Sequence, residues 1–354
     1  MKKEIVLLET SPDGGKLSYI QFLRGLSILS IVLFHIIWAA MQGVPEVVRR
    51  LLWPFCYATR IFFFCSGFGL YYSQLRRPKT YSVFLRKRFL NIYLPYIGAI
   101  LICFLVSFTY DYDDRFPALL SHIFLYKMFL PDKVQSFGPY WYMSAIFLYY
   151  LLFYALIRFK KRVGNSRRFL LFWILVSLGS CALGSLIPGL GGKYLFVYNA
   201  MPVMHCCFFA LGMNTAEKLH QTGRVTISVR TLAVCSAVFL ALYLLVERAE
   251  TKFMNEIPTT MIVFCLFTIL WAVSTKWKAF RRWIYWLASV SFEWYLLHML
   301  FIECFSRYVS QRGLAFNALI GAASFAVSLL AAWLYHKLVM GIRNMFRNGR
   351  QPSA

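Results

Sequence analysis

Two residues able to do chemistry stand eleven positions apart in the first long apolar run of the chain, 20–40. They are Arg24 and His35. A histidine, with an unperturbed pKa of about 6.5, accepts and returns a proton near neutrality. The planar fork of an arginine holds a phosphate or a carbonyl oxygen. On an α-helix eleven steps of about 100° come to three turns, so the two side chains share one face about 16 Å apart along the axis. An ionisable group in hydrocarbon costs roughly 3 kcal/mol or more, which makes a matched pair there a functional signal. The spacing predicts a membrane-embedded site with an anion holder near one surface and a proton acceptor about two thirds of the way across.

Membrane helices must carry this pair. The chain is 60% hydrophobic, with 34 Phe, 22 Tyr and 10 Trp, and its mean hydropathy is +0.59. Soluble domains stay near half apolar, and their apolar residues form periodic stripes rather than unbroken blocks. Here long blocks recur throughout, which predicts an all-α polytopic membrane bundle of about ten helices. The spans read 19–40, 51–72, 91–110, 139–157, 169–187, 195–214, 231–246, 257–274, 283–305 and 316–336. The stretch 118–130, bracketed by Pro117 and Pro131, reads as an amphipathic interfacial segment. Pro188 to Gly192 reads as a tight turn between the fifth and sixth helices. With no internal repeat or composition shift, residues 1–354 read as one membrane domain with no fused extracytoplasmic domain.

Charge orients the bundle. Alternate connections hold 26 of the 38 Lys and Arg residues, the opposite connections hold 10, and Arg24 and Arg60 fall within helices. Eight acidic residues, among them Asp111, Asp113 and Asp114, lie on the side poorer in basic residues. The positive-inside rule then places both termini in the cytoplasm, the protein being multi-pass in the cytoplasmic (inner) membrane. The net charge of +24 reads as cytoplasmic flanks set against anionic membrane lipid, not as a nucleic-acid surface. All nine cysteines fall within the predicted helices without metal-ligand or redox spacing, so no disulfide and no metal are expected.

Six segments in order resemble one family. Phe22-Leu-Arg24-Gly25 followed by His35 is similar to the opening signature of the acyltransferase-3 family of integral-membrane O-acyltransferases. Phe62 to Phe68, ending Ser66-Gly67-Phe68, resembles that family's aromatic block. The basic stretch from Phe84 through Arg86, Lys87 and Arg88 to Pro95 and Tyr96 follows, as it does in the family. Tyr140-Trp141-Tyr142-Met143-Ser144 with Tyr149 and Tyr150, then Phe208 to Met213, then Ser291 to His298 complete the likeness. The resemblance implies transfer of an acyl group, acetyl first, from cytoplasmic acyl-coenzyme A to a hydroxyl of a cell-surface glycan or lipid-linked sugar. In that chemistry His35 is the general base and Arg24 holds a phosphate or carbonyl of the donor. No metal is needed for the thioester route.

Other residues carry two readings each. Arg86, Lys87 and Arg88 are either positive cytoplasmic flank or a clasp for the nucleotide phosphates of the donor. Ser66 and Ser144 either donate hydrogen bonds to the reacting carbonyl or pack helices. His298, with Trp294 and Tyr295 one turn before it, is either an aromatic packing site or a wall of the acceptor pocket. Trp38, Trp53, Tyr140, Trp141 and Tyr142 either stack on sugar rings or belong to the aromatic belt. His205 follows Pro202, whose loosened helix leaves a carbonyl to satisfy it. His122, His220 and His336 read as solvated. Arg60 and Glu293 are expected to form a buried structural ion pair, and as departures from the family pattern they admit succinyl as an alternative acyl group. The rival reading is a transporter or flippase for a glycan or lipid. The sequence leaves the acceptor, the position acylated, the oligomeric state and any separate finishing protein open.

Overall fold

In hydrocarbon no water is present to bond a free backbone N–H or C=O, so apolar runs satisfy their own backbones as helices. The computed structural model describes residues 4–10, 17–40, 44–107, 115–129, 140–187, 201–248, 254–309 and 313–348. Its helices are α1 (Ser18–Ala40), α2 (Glu46–Leu52), α3 (Thr59–Arg76), α4 (Tyr81–Arg88), α5 (Leu94–Ser107), α6 (Arg115–Ile123) and α7 (Trp141–Val163). There follow α8 (Ser166–Leu186), α9 (Pro202–Thr222), α10 (Val229–Arg248), α11 (Glu256–Val273), α12 (Lys278–Ser306) and α13 (Leu314–Asn348). Among the described residues nine segments are long and apolar enough to cross a membrane. The chain is an all-α polytopic membrane bundle.

Two short strands, β1 (Glu4–Glu9) and β2 (Arg224–Ser228), were not anticipated; they pair antiparallel, Glu4 opposite Ser228 and Glu9 opposite Arg224. The pairing fixes a parity. Both strands lie on one side of the membrane, so an even number of crossings separates them. Five of the nine apolar segments lie between them, and α9 supplies the sixth crossing. Its polar residues lower its hydropathy, but twelve of its 21 residues are buried, so it faces protein more than lipid. With α9, ten crossings are counted among the described residues, which sets β1 and the end of α13 on the same side.

Helix ends differ from the sequence reading for local reasons. The second crossing starts at Glu46 and tightens into a 3₁₀ turn, Trp53–Ala58, at whose first turn Pro54 sits. The basic stretch at 81–88 is helical, not a connection, and runs through a π-helical turn, Phe89–Tyr93, into α5. Pro95 has no N–H for the carbonyl of Asn91, and Arg343 of α13 donates to that carbonyl at 2.5 Å. The stretch 118–130 holds the end of α6 and a 3₁₀ turn at Lys127–Phe129, while Pro131 and the turn at 188–192 lie outside the described residues.

Close helix approaches depend on glycine. A Cβ on Gly25 of α1 would meet the carbonyl oxygen of Ile284 in α12, and one on Gly67 of α3 would meet that of Phe209 in α9. Gly212 of α9 abuts the Phe64 carbonyl in the same way, so α3 and α9 cross backbone to backbone. Trp294 ties α12 to α13 through its indole N–H, which donates to Ser328 at 3.1 Å.

Candidate active site

Helix α1 lies beside α12, and the two run in the same direction. Arg24 donates from Nη2 to Ser291 Oγ at 3.0 Å, and farther along His35 Nδ1 lies 3.0 Å from His298 Nε2. Arg24 and His35, three turns apart on α1, therefore meet two residues of α12, Ser291 and His298, that stand seven residues or about two turns apart on one face. The hydroxyl proton of Ser291 is used on the Ala288 carbonyl at 2.9 Å, which leaves its oxygen free to accept from Arg24.

Below the histidines lies a cavity of about 360 Å³. Its polar wall is Arg24, Ser66, Arg88, Tyr142, Ser291 and Tyr295, and its apolar wall includes Ile20, Phe62, Met143, Ile146 and Phe292. Ser66 Oγ and Tyr142 Oη are 3.5 Å apart across it. The Arg88 guanidinium sits 5.5 Å from the Phe84 ring and 5.8 Å from the Tyr150 ring, and its enclosed Nε has no hydrogen-bond partner among the described residues. Neither Arg24 nor Arg88 meets a carboxylate among those residues. Two guanidinium groups without a carboxylate partner among the described residues thus face one chamber, an arrangement whose charge suits an anion.

Helical periodicity sorts the expected residues. On α4, Arg88 lies one turn after the buried Phe84 and turns inward, while Arg86 and Lys87 are exposed, so the three do not act as one clasp. On α7, Tyr142, Ile146 and Tyr150 line the cavity at steps of four. Trp141 and Ser144 lie on another face: Trp141 stands 5.5 Å from His205, and Ser144 is buried without a hydrogen-bond partner among the described residues. Neither reaches the chamber.

The expected pair of Arg60 with Glu293 does not form. Arg60 instead makes a two-pronged contact with Glu256, at 2.8 and 2.6 Å, beneath the rings of Tyr57 and Trp141. Glu293 points to α13 and meets His336 Nδ1 at 3.1 Å. Arg60 stands at the start of α3, where α11 begins, whereas Glu293 lies mid-way along α12. His205 stacks on Phe63 at 5.2 Å, with Nδ1 4.0 Å from Glu256. His122 is not solvated as expected: it is buried and bonded to Tyr96 at 2.8 Å, whereas His336 is partly exposed. Trp38 and Trp53 pack together at 5.4 Å and touch Phe34, the neighbour of His35.

Residues 17–337 match the acyltransferase domain of the acyltransferase-3 family. The chain belongs to that family. It is a multi-pass membrane acyltransferase, and the match covers Arg24, His35, Arg88 and His298 in a single span. No curated protein and no solved structure matches it. Sequence reasoning about this acyltransferase missed Glu256 and the part Ser291 plays. Glu256 falls one residue outside a hydropathy window, while the Ser291-to-His298 spacing was a readable signal.

Proposed function

We propose that this acyltransferase moves an acetyl group from cytoplasmic acetyl-coenzyme A to a hydroxyl of a cell-surface glycan or lipid-linked sugar, with His35 as general base. The observation that carries the reading is the pairing of His35 with His298 on the same two helices that hold Arg24 in the chamber. Arg24 and Arg88 bind the donor through its anionic groups. The thioester end reaches past Ser66, Tyr142 and Tyr295 toward His35. The acceptor approaches from the outer side. Its oxygen attacks the thioester carbonyl as His35 takes the hydroxyl proton, the C–S bond breaks, and the proton passes to the departing thiolate. The products are an ester and the free coenzyme A thiol.

Arg60 and Glu293 gave reason to consider succinyl, yet Arg60 is paired with Glu256 and Glu293 lies against His336 of α13. That supports acetyl as the first donor. The test is label transfer from acetyl- and succinyl-coenzyme A to a cell-envelope extract in a cytoplasmic (inner) membrane preparation. Transfer with thiol release supports the reading, and its absence with both donors counts against it.

A further inference from the structure

Two fully determined hydrogen bonds fix where the protons sit on the paired histidines. His298 is buried, and its Nδ1 lies 3.0 Å from the carbonyl oxygen of Trp294 and 2.8 Å from that of Tyr295. A carbonyl oxygen only accepts, so Nδ1 of His298 carries a proton. The ring being neutral, its Nε2 is a bare lone pair. That lone pair faces His35 Nδ1 at 3.0 Å. Two lone pairs do not meet at hydrogen-bond distance, so His35 Nδ1 is the protonated atom and His35 Nε2 holds the available lone pair.

We infer that His298 is a positioning residue that holds His35 in the Nδ1–H tautomer and so presents Nε2 as the basic atom. The consequence for turnover rests on the reading of His35 as the base; the tautomer itself does not. The arrangement has the logic of a base oriented by a third group, with backbone carbonyls of α12 as the fixed end of the chain. When Nε2 of His35 takes a proton, the imidazolium keeps its Nδ1–H on His298, and that bond becomes charge-assisted. A neutral imidazole suits this position, because a carboxylate in the same place would have to be buried as a second charge in the membrane.

The fold supports the register independently. Gly25 lets α1 lie directly on α12, and the His35 and His298 ring centroids are 5.1 Å apart with planes inclined by 31°. His298 folds back on its own helix to the carbonyls three and four residues earlier, so its Nε2 is aimed by the helix backbone rather than by a mobile partner.

The experiment is ¹⁵N NMR on the full-length protein in lipid nanodiscs, labelled at histidine, with His35→Gln used to assign the His35 signals. The native protein is expected to show His35 protonated at Nδ1 and bare at Nε2. His298→Ala is expected to give a mixture of tautomers at His35. His298→Gln, whose side-chain oxygen accepts a hydrogen bond, keeps the Nδ1–H form. On acetyl-coenzyme A the alanine variant is expected to lose about a hundredfold or more in kcat with little change in donor KM, and glutamine to recover part of it. Thermal unfolding of each variant identifies any that do not fold. An Nε2–H tautomer at His35 in the native protein, or an unchanged tautomer in a folded His298→Ala, overturns the inference. A native protein with the expected tautomer but no transfer from either donor overturns the acyl-transfer reading instead, and leaves the positioning intact.

Discussion

Arg60 and Glu256 are joined by two hydrogen bonds, Nε to Oε2 at 2.8 Å and Nη2 to Oε1 at 2.6 Å, with both side chains almost wholly removed from solvent. The bond ties the start of α3 to the start of α11. Taking one partner from a buried pair strands the other charge, which costs about 3–5 kcal/mol. Arg60→Ala and Glu256→Ala are each expected to lower the unfolding midpoint in detergent sharply. Arg60→Met combined with Glu256→Leu is expected to recover most of that loss, because no charge then remains buried. Equal loss in the double variant would mean that the pair does more than neutralise itself.

Arg88 and its neighbours Arg86 and Lys87 separate by face. Arg88 lines the chamber while the other two are exposed. A hydrogen bond to a charged group is worth about 1.5–3 kcal/mol, so Arg88→Ala is expected to raise the KM for acetyl-coenzyme A roughly ten- to a hundredfold. Arg86→Ala and Lys87→Ala are expected to stay within about twofold, since exposed charges contribute little. Thiol-release kinetics across the three variants checks the split.

Glycine at 25 is required by the backbone of another helix. A methyl group there would occupy the place of the Ile284 carbonyl oxygen, and a carbonyl held in α12 cannot swing aside as a side chain would. Gly25→Ala is expected to push α1 away from α12, breaking both the Arg24–Ser291 and His35–His298 contacts and abolishing transfer. Gly179 of α8 has open space around it, so Gly179→Ala is expected to be tolerated. Folded yield and turnover of the two variants test the contrast.

His122 gives the protein an acid-sensitive point in α6. Burial, and then the nearby Lys127 charge, push its pKa down to about 3. The unfolded chain binds this proton at about pH 6.5 and the folded chain only near 3. Its contribution to stability is therefore complete above about pH 6.5 and falls as the pH drops toward 3, by up to about 1 kcal/mol per unit. His122→Gln is expected to flatten the pH dependence of the unfolding midpoint between pH 7 and 4. A slope unchanged from the native protein would contradict this.

What the sequence revealed followed from periodicity within single elements. Arg24 and His35 lie on one face because helical geometry requires it, and the all-α membrane bundle followed from the length of the apolar runs. Contacts between elements were hidden. Nothing in the spacing of Arg60 told that α11, not α12, begins beside it, so Glu293 was the wrong partner. Arg86 and Arg88 look alike in the chain, and only the helical turn through Phe84 separates them. The strand at 224–228 carries Val225, Thr226 and Ile227, a β-branched run that was a usable signal. Its partner lies more than two hundred residues away, at 4–9, and no local pattern announces such a pairing. His298 was legible as a membrane histidine, but its role depends on where His35 stands.

The most direct test of the account uses the purified full-length protein in lipid, labelled acetyl-coenzyme A and a cell-envelope extract, with His35→Ala run beside the native chain. Thiol release and label transfer are followed together, with succinyl-coenzyme A in a parallel arm. The account predicts transfer by the native protein and a loss of about a hundredfold or more in a folded His35→Ala. Equal transfer by both proteins would contradict His35 as the base, and no transfer by a folded native protein from either donor would contradict the acyl-coenzyme A reaction itself.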